Sequence, residues 1–154
     1  MTRSPQIGAS ERKCLPLHSR ERFTWPLVDL PLPCPIKGRI TVVGVCASGK
    51  TALVERLRAQ GYDARHCAQE HSQVPDMWQR LSRPEALVYL DVSLEVIRCR
   101  RPADYDEGYI QEQRRRLAHA RQHCHIYVLT DALSIEDVSG RVLAELHKLG
   151  MGRD

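Results

Sequence analysis

The chain contains no asparagine, one phenylalanine and only four lysines among its 154 residues, against nineteen arginines. Without asparagine it cannot carry the Asn-Lys-x-Asp motif by which GTPases usually read guanine. Scarce lysine and phenylalanine beside abundant arginine and alanine are typical of a G+C-rich genome. The net charge of +4 therefore does not by itself call for a nucleic-acid surface.

Compact cysteine motifs and long apolar runs are also missing. The six cysteines form no C-x-x-C pair, so we expect neither a disulfide framework nor an oxidising compartment. No apolar run approaches the roughly 18 residues of a membrane-spanning helix. The N-terminus lacks the uninterrupted apolar segment of a signal peptide. These absences favour a cytoplasmic protein with no membrane partner.

Length and proline content predict one domain behind a tail. A chain of 154 residues can build one hydrophobic core but not two. Residues 1–36 hold six of the nine prolines and show no periodic pattern, so we predict a mobile Pro-rich tail there and a folded domain at 37–152. Two other interpretations of the tail stay open. It lies along the domain in extended form, or it reflects the choice of start site.

Strand-like and helix-like segments alternate after the tail. Strands are predicted at 39–43, 62–69, 86–92 and 125–130. Helices are predicted at 51–60, 76–83, 93–101 and 106–123, and a capping box at Ser134 and Asp137 opens a last one. We expect Trp78, Leu81 and Leu149 to point inward. The alternation predicts a three-layer α/β fold with a mostly parallel central sheet of four or five strands.

The most informative segment runs from Gly44 to Thr51 and reads Gly-Val-Cys-Ala-Ser-Gly-Lys-Thr, which matches the phosphate-binding loop G-x-x-x-x-G-K-[ST]. It joins a β-branched strand to an amphipathic helix, as phosphate binding requires, because backbone N–H groups must converge at a helix N-terminus. Lys50 is the only lysine between Gly38 and His147, which suits a compact charge that grips phosphate. The alternative is a plain glycine-containing turn.

The loop predicts a bound nucleoside triphosphate, with Lys50 at the β- and γ-phosphates and Thr51 on Mg²⁺. The residues expected to contact the nucleotide are Gly44, Cys46, Ala47, Ser48, Gly49, Lys50, Thr51 and Ala52.

After Arg39 the chain resembles the P-loop small-molecule and nucleotide kinases, which include thymidylate, adenylate and shikimate kinases. Beyond the loop, the resemblance rests on segment 88–95 with the arginines that follow it, and on segments 128–131 and 134–138. It implies the three-layer P-loop NTPase fold, ATP and Mg²⁺ as cofactors, and transfer of the γ-phosphoryl group to a nucleotide or other small molecule. One βα unit of these kinases is missing here, so the resemblance is to a shortened member.

Arginines after the third predicted strand are candidates for a clamp on the transferred group. Phosphoryl transfer spreads negative charge that fixed cations must stabilise. Arg98 and Arg101 lie at i, i+3 on one predicted helix, and Arg100 lies between them. The alternative is a solvent-exposed arginine face, which we expect for most of 114–116.

Carboxylates for magnesium and for the acceptor are less clearly marked. Asp91 ends an apolar run, as metal-binding aspartates often do, and is the predicted metal ligand. In the kinases that the chain resembles, however, a separate acidic residue serves the metal. Glu70, just past the second predicted strand, is the alternative carboxylate, and the acceptor is expected near Glu70 and Trp78.

Two further interpretations of the sequence remain open. The shortened middle of the chain is compatible with a nucleotide-binding regulatory or ATPase module that has no small-molecule kinase activity. His119 and His123 share a helical face beside Cys124, but no second pair with suitable spacing completes a zinc site. The expected partners are thus a nucleoside triphosphate and an unidentified small-molecule acceptor, without nucleic acid.

Overall fold

A computed structural model describes residues 30–67, 72–102 and 106–153. The strands are β1 (Ile36–Gly44), β2 (Asp63–His66), β3 (Pro84–Asp91) and β4 (Ile126–Leu129). The helices are α1 (Lys50–Ala59), α2 (Leu94–Arg100), α3 (Glu107–Arg116), α4 (Ala118–His123) and α5 (Ile135–Lys148). A π-helical turn, Trp78–Ser82, precedes β3.

The four strands form one parallel sheet in the order β2-β1-β3-β4. β1 and β3 occupy the centre, and Val42 pairs in register with Val88. Parallel neighbours need crossover connections, and helical segments lie between successive strands of the chain. The predicted α/β class and parallel sheet are confirmed, and among the described residues the sheet has four strands rather than five.

Hydrophobic cores lie on both faces of this sheet. Alternate residues of the central strands point to opposite faces, and residues 40–44 of β1 and 86–91 of β3 are buried without interruption because both faces are covered. One face packs against α1 and α5 through residues that include Val42, Val88, Leu57 and Val142. The other face packs against α2, α3 and α4 through residues that include Val43, Tyr89, Ile97, Ile110 and Leu117. The chain therefore has three layers.

The last helix begins as its sequence predicts. Ser134 Oγ accepts a hydrogen bond from the Asp137 backbone N–H at 3.1 Å, and an Asp137 carboxylate oxygen accepts one from the Ser134 N–H at 3.2 Å. This capping box satisfies two donors that a helix start leaves without partners. No helix of the described ranges is long and apolar enough to cross a membrane.

Two predicted inward residues are exposed, and each for a structural reason. Leu81 is 62% exposed whereas Trp78 is 3% exposed. The turn that carries both is π-helical, so a residue three positions after Trp78 does not return to the same face. Leu149 lies just past the end of α5 and is 47% exposed. Met151 packs against the core at this end instead.

The predicted long helix 106–123 is two helices. It breaks at Leu117, where φ is −86° and ψ is −3°, so the backbone departs from α-helical geometry. Leu117 is fully buried, and its side chain packs in the core beneath both α3 and α4. Neither proline nor glycine marks this break, so the apolar period alone could not show it.

The segment just before β1 contacts the folded domain through its backbone. The carbonyl oxygens of Leu30 and Cys34 accept hydrogen bonds from Arg80 and Arg83 at 3.2 and 2.9 Å. Most of the predicted tail, 1–29, lies outside the described residues.

Candidate functional site

The loop between β1 and α1 needs both of its glycines. A Cβ atom at Gly44 would lie 2.2 Å from the Leu90 carbonyl oxygen, so the loop approaches β3 as closely as a residue without a side chain allows. Gly49 has a φ of +92°, a left-handed conformation that other residues rarely adopt. The backbone can therefore turn from the sheet edge directly into α1.

Helix α1 presents backbone donors and a positive side chain at its start. Gly49 occupies the N-cap position, no side chain caps the helix, and its first turn holds no acidic residue. The N–H groups of the first turn have no partners within the helix, and the helix dipole makes this end positive. Lys50 Nζ folds back over the loop and donates to the carbonyl oxygens of Gly44 and Val45 at 2.7 and 3.1 Å.

A cavity of about 330 Å³, here called the loop cavity, opens at this helix start. Its lining consists of Ala47, Ser48, Gly49, Lys50, Thr51, Ala52, Arg100 and Arg101. Three of these residues are cationic, and no carboxylate is among the described residues of the lining. Such a site favours an anion.

Ser48 supports the fit of an anionic oxygen to the loop cavity. The residue is 2% exposed, and its Oγ makes no hydrogen bond to any residue that the structure describes. Buried polar atoms in folded proteins almost always have partners. An oxygen of a phosphate group in the loop cavity is a suitable partner for this hydroxyl.

Gln113 of α3 holds the loop between β1 and α1 through its side-chain amide. Its side-chain oxygen accepts a hydrogen bond from the Cys46 N–H at 2.9 Å, and its nitrogen donates to Cys46 Sγ at 2.9 Å. Gln113 is 2% exposed. Cys46 and Gly44 were predicted nucleotide contacts, but neither lines the loop cavity. The structure gives them roles in holding the loop against α3 and β3.

The predicted arginine clamp is only partly assembled. Arg101 lines the loop cavity, whereas Arg98 extends to Glu107 at 3.7 Å and does not line it. Helix α2 ends at Arg100, and Arg101 is its C-cap residue, with φ −144° and ψ 75°, whose N–H still donates to the Ile97 carbonyl oxygen at 2.8 Å. The joint clamp of Arg98 and Arg101 stays a prediction, since only Arg101 lines the loop cavity.

Arg100 takes the place predicted for Arg98. Its guanidinium donates to the Ala47 carbonyl oxygen at 2.9 Å and to the Thr130 carbonyl oxygen at 3.1 Å. It thus joins the loop to the segment after β4. Thr130 is 2% exposed and is not among the predicted site residues. Its position directly after a predicted strand was the one available signal, since ligands of parallel sheets bind at strand ends.

Asp91, the predicted metal ligand, lines a different cavity. It follows Tyr89 at a spacing of two, so both side chains lie on the sheet face that packs against α3 and α4. The Asp91 carboxylate accepts hydrogen bonds from the Tyr127 hydroxyl at 2.8 Å and from the Val92 N–H at 2.9 Å. Burial, and then this carboxylate, raise the pKa of Tyr127. A metal role for Asp91 stays a prediction.

Two predicted site residues remain, Glu70 and Trp78. Glu70 falls outside the described residues. Trp78 is buried in the core, where its indole N–H donates to His119 Nδ1 at 3.2 Å. Burial, with the neighbouring His123, lowers the pKa of His119. Within the described ranges, no three His, Cys, Asp or Glu side chains are grouped in a way that could hold a metal ion.

Comparison with known proteins gives no relative from which to assign a role. No protein-family model matches this chain, and no curated protein matches it.

Proposed function

We propose that this protein binds ATP at the loop from Gly44 to Thr51 and transfers the γ-phosphoryl group to a nucleotide or other small molecule. The observation that carries the proposal is the placement of Lys50 at the uncapped start of α1, folded over a glycine loop that follows a central parallel strand. Backbone donors, a lysine and two arginines converge on one cavity there. This arrangement, together with the three layers, supports a P-loop NTPase fold.

The polar groups at the start of α1 and Arg101 have separate roles in this proposal. Lys50 leaves the carbonyl oxygens of Gly44 and Val45 and contacts the β- and γ-phosphates. The N–H groups that begin α1 donate to the phosphate oxygens. Thr51 supplies a hydroxyl ligand for Mg²⁺, an ion that neutralises charge on the phosphates when bound. Arg101 stabilises the charge that develops on the transferred group.

Arg100 is the residue expected to sense the nucleotide. Its guanidinium already contacts the Ala47 carbonyl oxygen within the loop. A phosphate oxygen is a stronger partner for guanidinium than a neutral carbonyl oxygen, since the hydrogen bond is then between opposite charges. On nucleotide binding, Arg100 would exchange its bond to the Ala47 carbonyl oxygen for a bond to a phosphate oxygen. It would keep its bonds to Thr130.

The proposed binding is tested by Mg·ATP-induced thermal stabilisation of wild type, Lys50→Ala and Lys148→Ala. Lys148 is an exposed lysine paired with Glu145, so its variant removes the same charge far from the loop in sequence and outside its lining. We expect Lys50→Ala to bind Mg·ATP at least about tenfold more weakly, because a charge-assisted contact to phosphate is lost. Lys148→Ala should match wild type. Equal stabilisation of all three proteins would contradict the proposal.

Phosphoryl transfer needs its own experiment. Protein with γ-labelled ATP and Mg²⁺ is incubated with a panel of nucleosides, nucleotides and sugar acids, and labelled product is measured. We expect a labelled product that depends on Lys50.

One observation favours a nucleotide-binding regulatory or ATPase module as the second candidate. No carboxylate lines the loop cavity in the described ranges, and Asp91 is bonded elsewhere. Tight ATP binding without labelled product, together with an ATP-dependent change in oligomeric state, would support this candidate and reject the kinase.

A further inference from the structure

A second cavity, here called the Asp91 cavity, lies at the same carboxyl edge of the sheet. Its volume is about 410 Å³, within the usual range for sites that bind small molecules. Its walls come from the ends of β3 and β4, the residues after them, and helices α3 and α4. None of its lining residues also lines the loop cavity.

Two arginines lie beside the Asp91 carboxylate in the lining of this cavity. Arg121 Nη2 lies 3.7 Å and Arg114 Nη2 lies 4.0 Å from its oxygens, which is longer than a hydrogen bond. Both guanidiniums are nevertheless positioned, because Arg114 donates to the Val92 carbonyl oxygen at 2.7 Å and Arg121 lies over the Tyr127 ring. Both arginines are therefore close enough to be attracted to the Asp91 carboxylate, but neither forms a hydrogen bond with it.

The two carboxylates of the Asp91 cavity, Asp91 and Asp131, differ in the hydrogen bonds that they accept. Asp131 accepts a hydrogen bond from the Ser93 N–H at 2.7 Å, which ties it to the start of α2. Each Asp91 oxygen accepts one hydrogen bond, from Tyr127 or from Val92, and keeps room for a second. Asp91 can thus accept one more hydroxyl donor without losing a partner.

We propose that the Asp91 cavity binds a small organic anion that also carries a hydroxyl group. Arg114 and Arg121 hold its carboxylate or phosphate group, since guanidinium presents paired donors that match such oxygens. Asp91 accepts the hydroxyl hydrogen and so selects a hydroxylated ligand over a bare anion. This site is defined by its own residues and does not depend on nucleotide binding at the loop.

A hydrogen-bonded path joins the two cavities. The Asp91 carbonyl oxygen accepts bonds from the Thr130 N–H at 2.9 Å and from its hydroxyl at 3.1 Å. Thr130 in turn accepts from Arg100, which reaches the Ala47 carbonyl oxygen of the loop. Thr130 and Arg100 therefore connect the backbone of Asp91, in the lining of one cavity, to Ala47, in the lining of the other.

The anion site is tested by calorimetric titration with three related probes: glycerol 3-phosphate, glycerate and neutral glycerol. The first two should bind wild type, and glycerol should not. Their relative affinities distinguish a phosphate from a carboxylate ligand. Lys50→Ala should bind both anions as wild type does. Loss of binding in Lys50→Ala would move the anions to the loop cavity and overturn the proposal, as would absence of binding to wild type.

A matched pair of variants separates specific contact from net charge. Arg121→Gln should weaken glycerol 3-phosphate binding about tenfold, because a charge-assisted bond is lost. Arg115→Gln removes the same charge from α3, where Arg115 pairs with Glu112 and does not line the cavity. It should leave the affinity within about twofold of wild type. Equal effects of both changes would contradict a built site.

The direction in which Asp91→Asn changes the affinity for inorganic phosphate is an independent test of the proposed site. Removal of a negative charge beside two guanidiniums should strengthen binding of inorganic phosphate, while the preference for glycerol 3-phosphate over inorganic phosphate should shrink. Weaker phosphate binding in a variant with a native circular-dichroism spectrum would show that Asp91 does not compete for the arginines. If Asp91→Asn does not fold, Arg121→Gln decides, because that side chain is 58% exposed.

Discussion

At the residue scale, the loop glycines illustrate two separate demands on a backbone. Gly44 is needed because β3 lies against it, and Gly49 because its φ is positive. A motif match cannot distinguish these reasons, although it predicts both residues. The distinction matters because a crowded glycine and a left-handed glycine fail differently when they are replaced.

Gly44→Ala should destabilise the protein by about 1–3 kcal/mol, because its methyl group would collide with the Leu90 carbonyl oxygen. Gly140→Ala is the matched control, since Gly140 lies within α5 and a Cβ there meets nothing within 4 Å. This control should stabilise by about 0.5–1 kcal/mol, as helical Gly-to-Ala changes do. Urea unfolding of both variants measures the difference, and a stable Gly44→Ala protein would show that the loop can move away from β3.

Arginine roles could be predicted from the sequence only as a group. The cluster after Asp91 does reach the loop, but Arg100 and Arg101 reach it instead of Arg98 and Arg101. A shift of one residue at the end of a helix changes which side chain points inward. Helix ends depend on local capping and packing, which a periodic pattern does not report.

At the element scale, β2 is a four-residue strand at the edge of the described sheet, and an ion pair joins it to β1. Arg39 of β1 stands opposite Asp63 in the register, and the two side chains meet at 2.9 Å. The hydrogen bond from Arg39 is the main cause that lowers the pKa of Asp63 below its ordinary value of 3.8, against the opposing effect of burial, and Arg65 adds to the lowering. The pair therefore stabilises the ionised form of Asp63 in the folded state.

The pair predicts a pH-dependent stability difference between wild type and Asp63→Asn. A carboxyl with a lowered folded-state pKa contributes stability above its unfolded pKa, and this contribution is lost as the pH falls through the folded value. Wild type should thus be the more stable protein above pH 3.8, and the difference should vanish at lower pH. Thermal unfolding across that range measures it.

Two arginine variants identify the partner responsible. Arg39→Gln should remove most of the pH dependence that Asp63 contributes. Arg65→Gln should remove less, because Arg65 lowers the Asp63 pKa less than Arg39 does. Equal effects would mean that both arginines support the strand alike.

Elements with a strong apolar period were predicted well, and elements shaped by packing were not. β1, β3 and α5 follow from β-branched runs and from the Ser134 capping box. The π-helical turn and the break at Leu117 have no marker residue, since both depend on how buried side chains fit beneath the helices. Local preferences are weak where tertiary contacts decide the geometry.

At the scale of the whole molecule, the sheet order sets the expected distribution of local stability. β1 and β3 pair on both sides and are covered on both faces, whereas β2 and β4 are edges. Backbone amides of β1 should therefore exchange hydrogen only through global unfolding, and those of β2 should exchange through local opening. Native-state hydrogen exchange measures both. Equal protection of β1 and β2 would show that the β2 edge unfolds together with the centre.

The sequence by itself determined the G-x-x-x-x-G-K-[ST] motif, the α/β class and the positions of the central strands, because these depend on local residue type and period. Tertiary structure alone decided that Asp91 turns away from the loop, that Gln113 and Arg100 contact it, and that two cavities share one sheet edge. These facts depend on the sheet order and on which face each strand residue meets. The loop that carries Lys50 could therefore be predicted from the sequence, whereas packing alone decided which residues surround it.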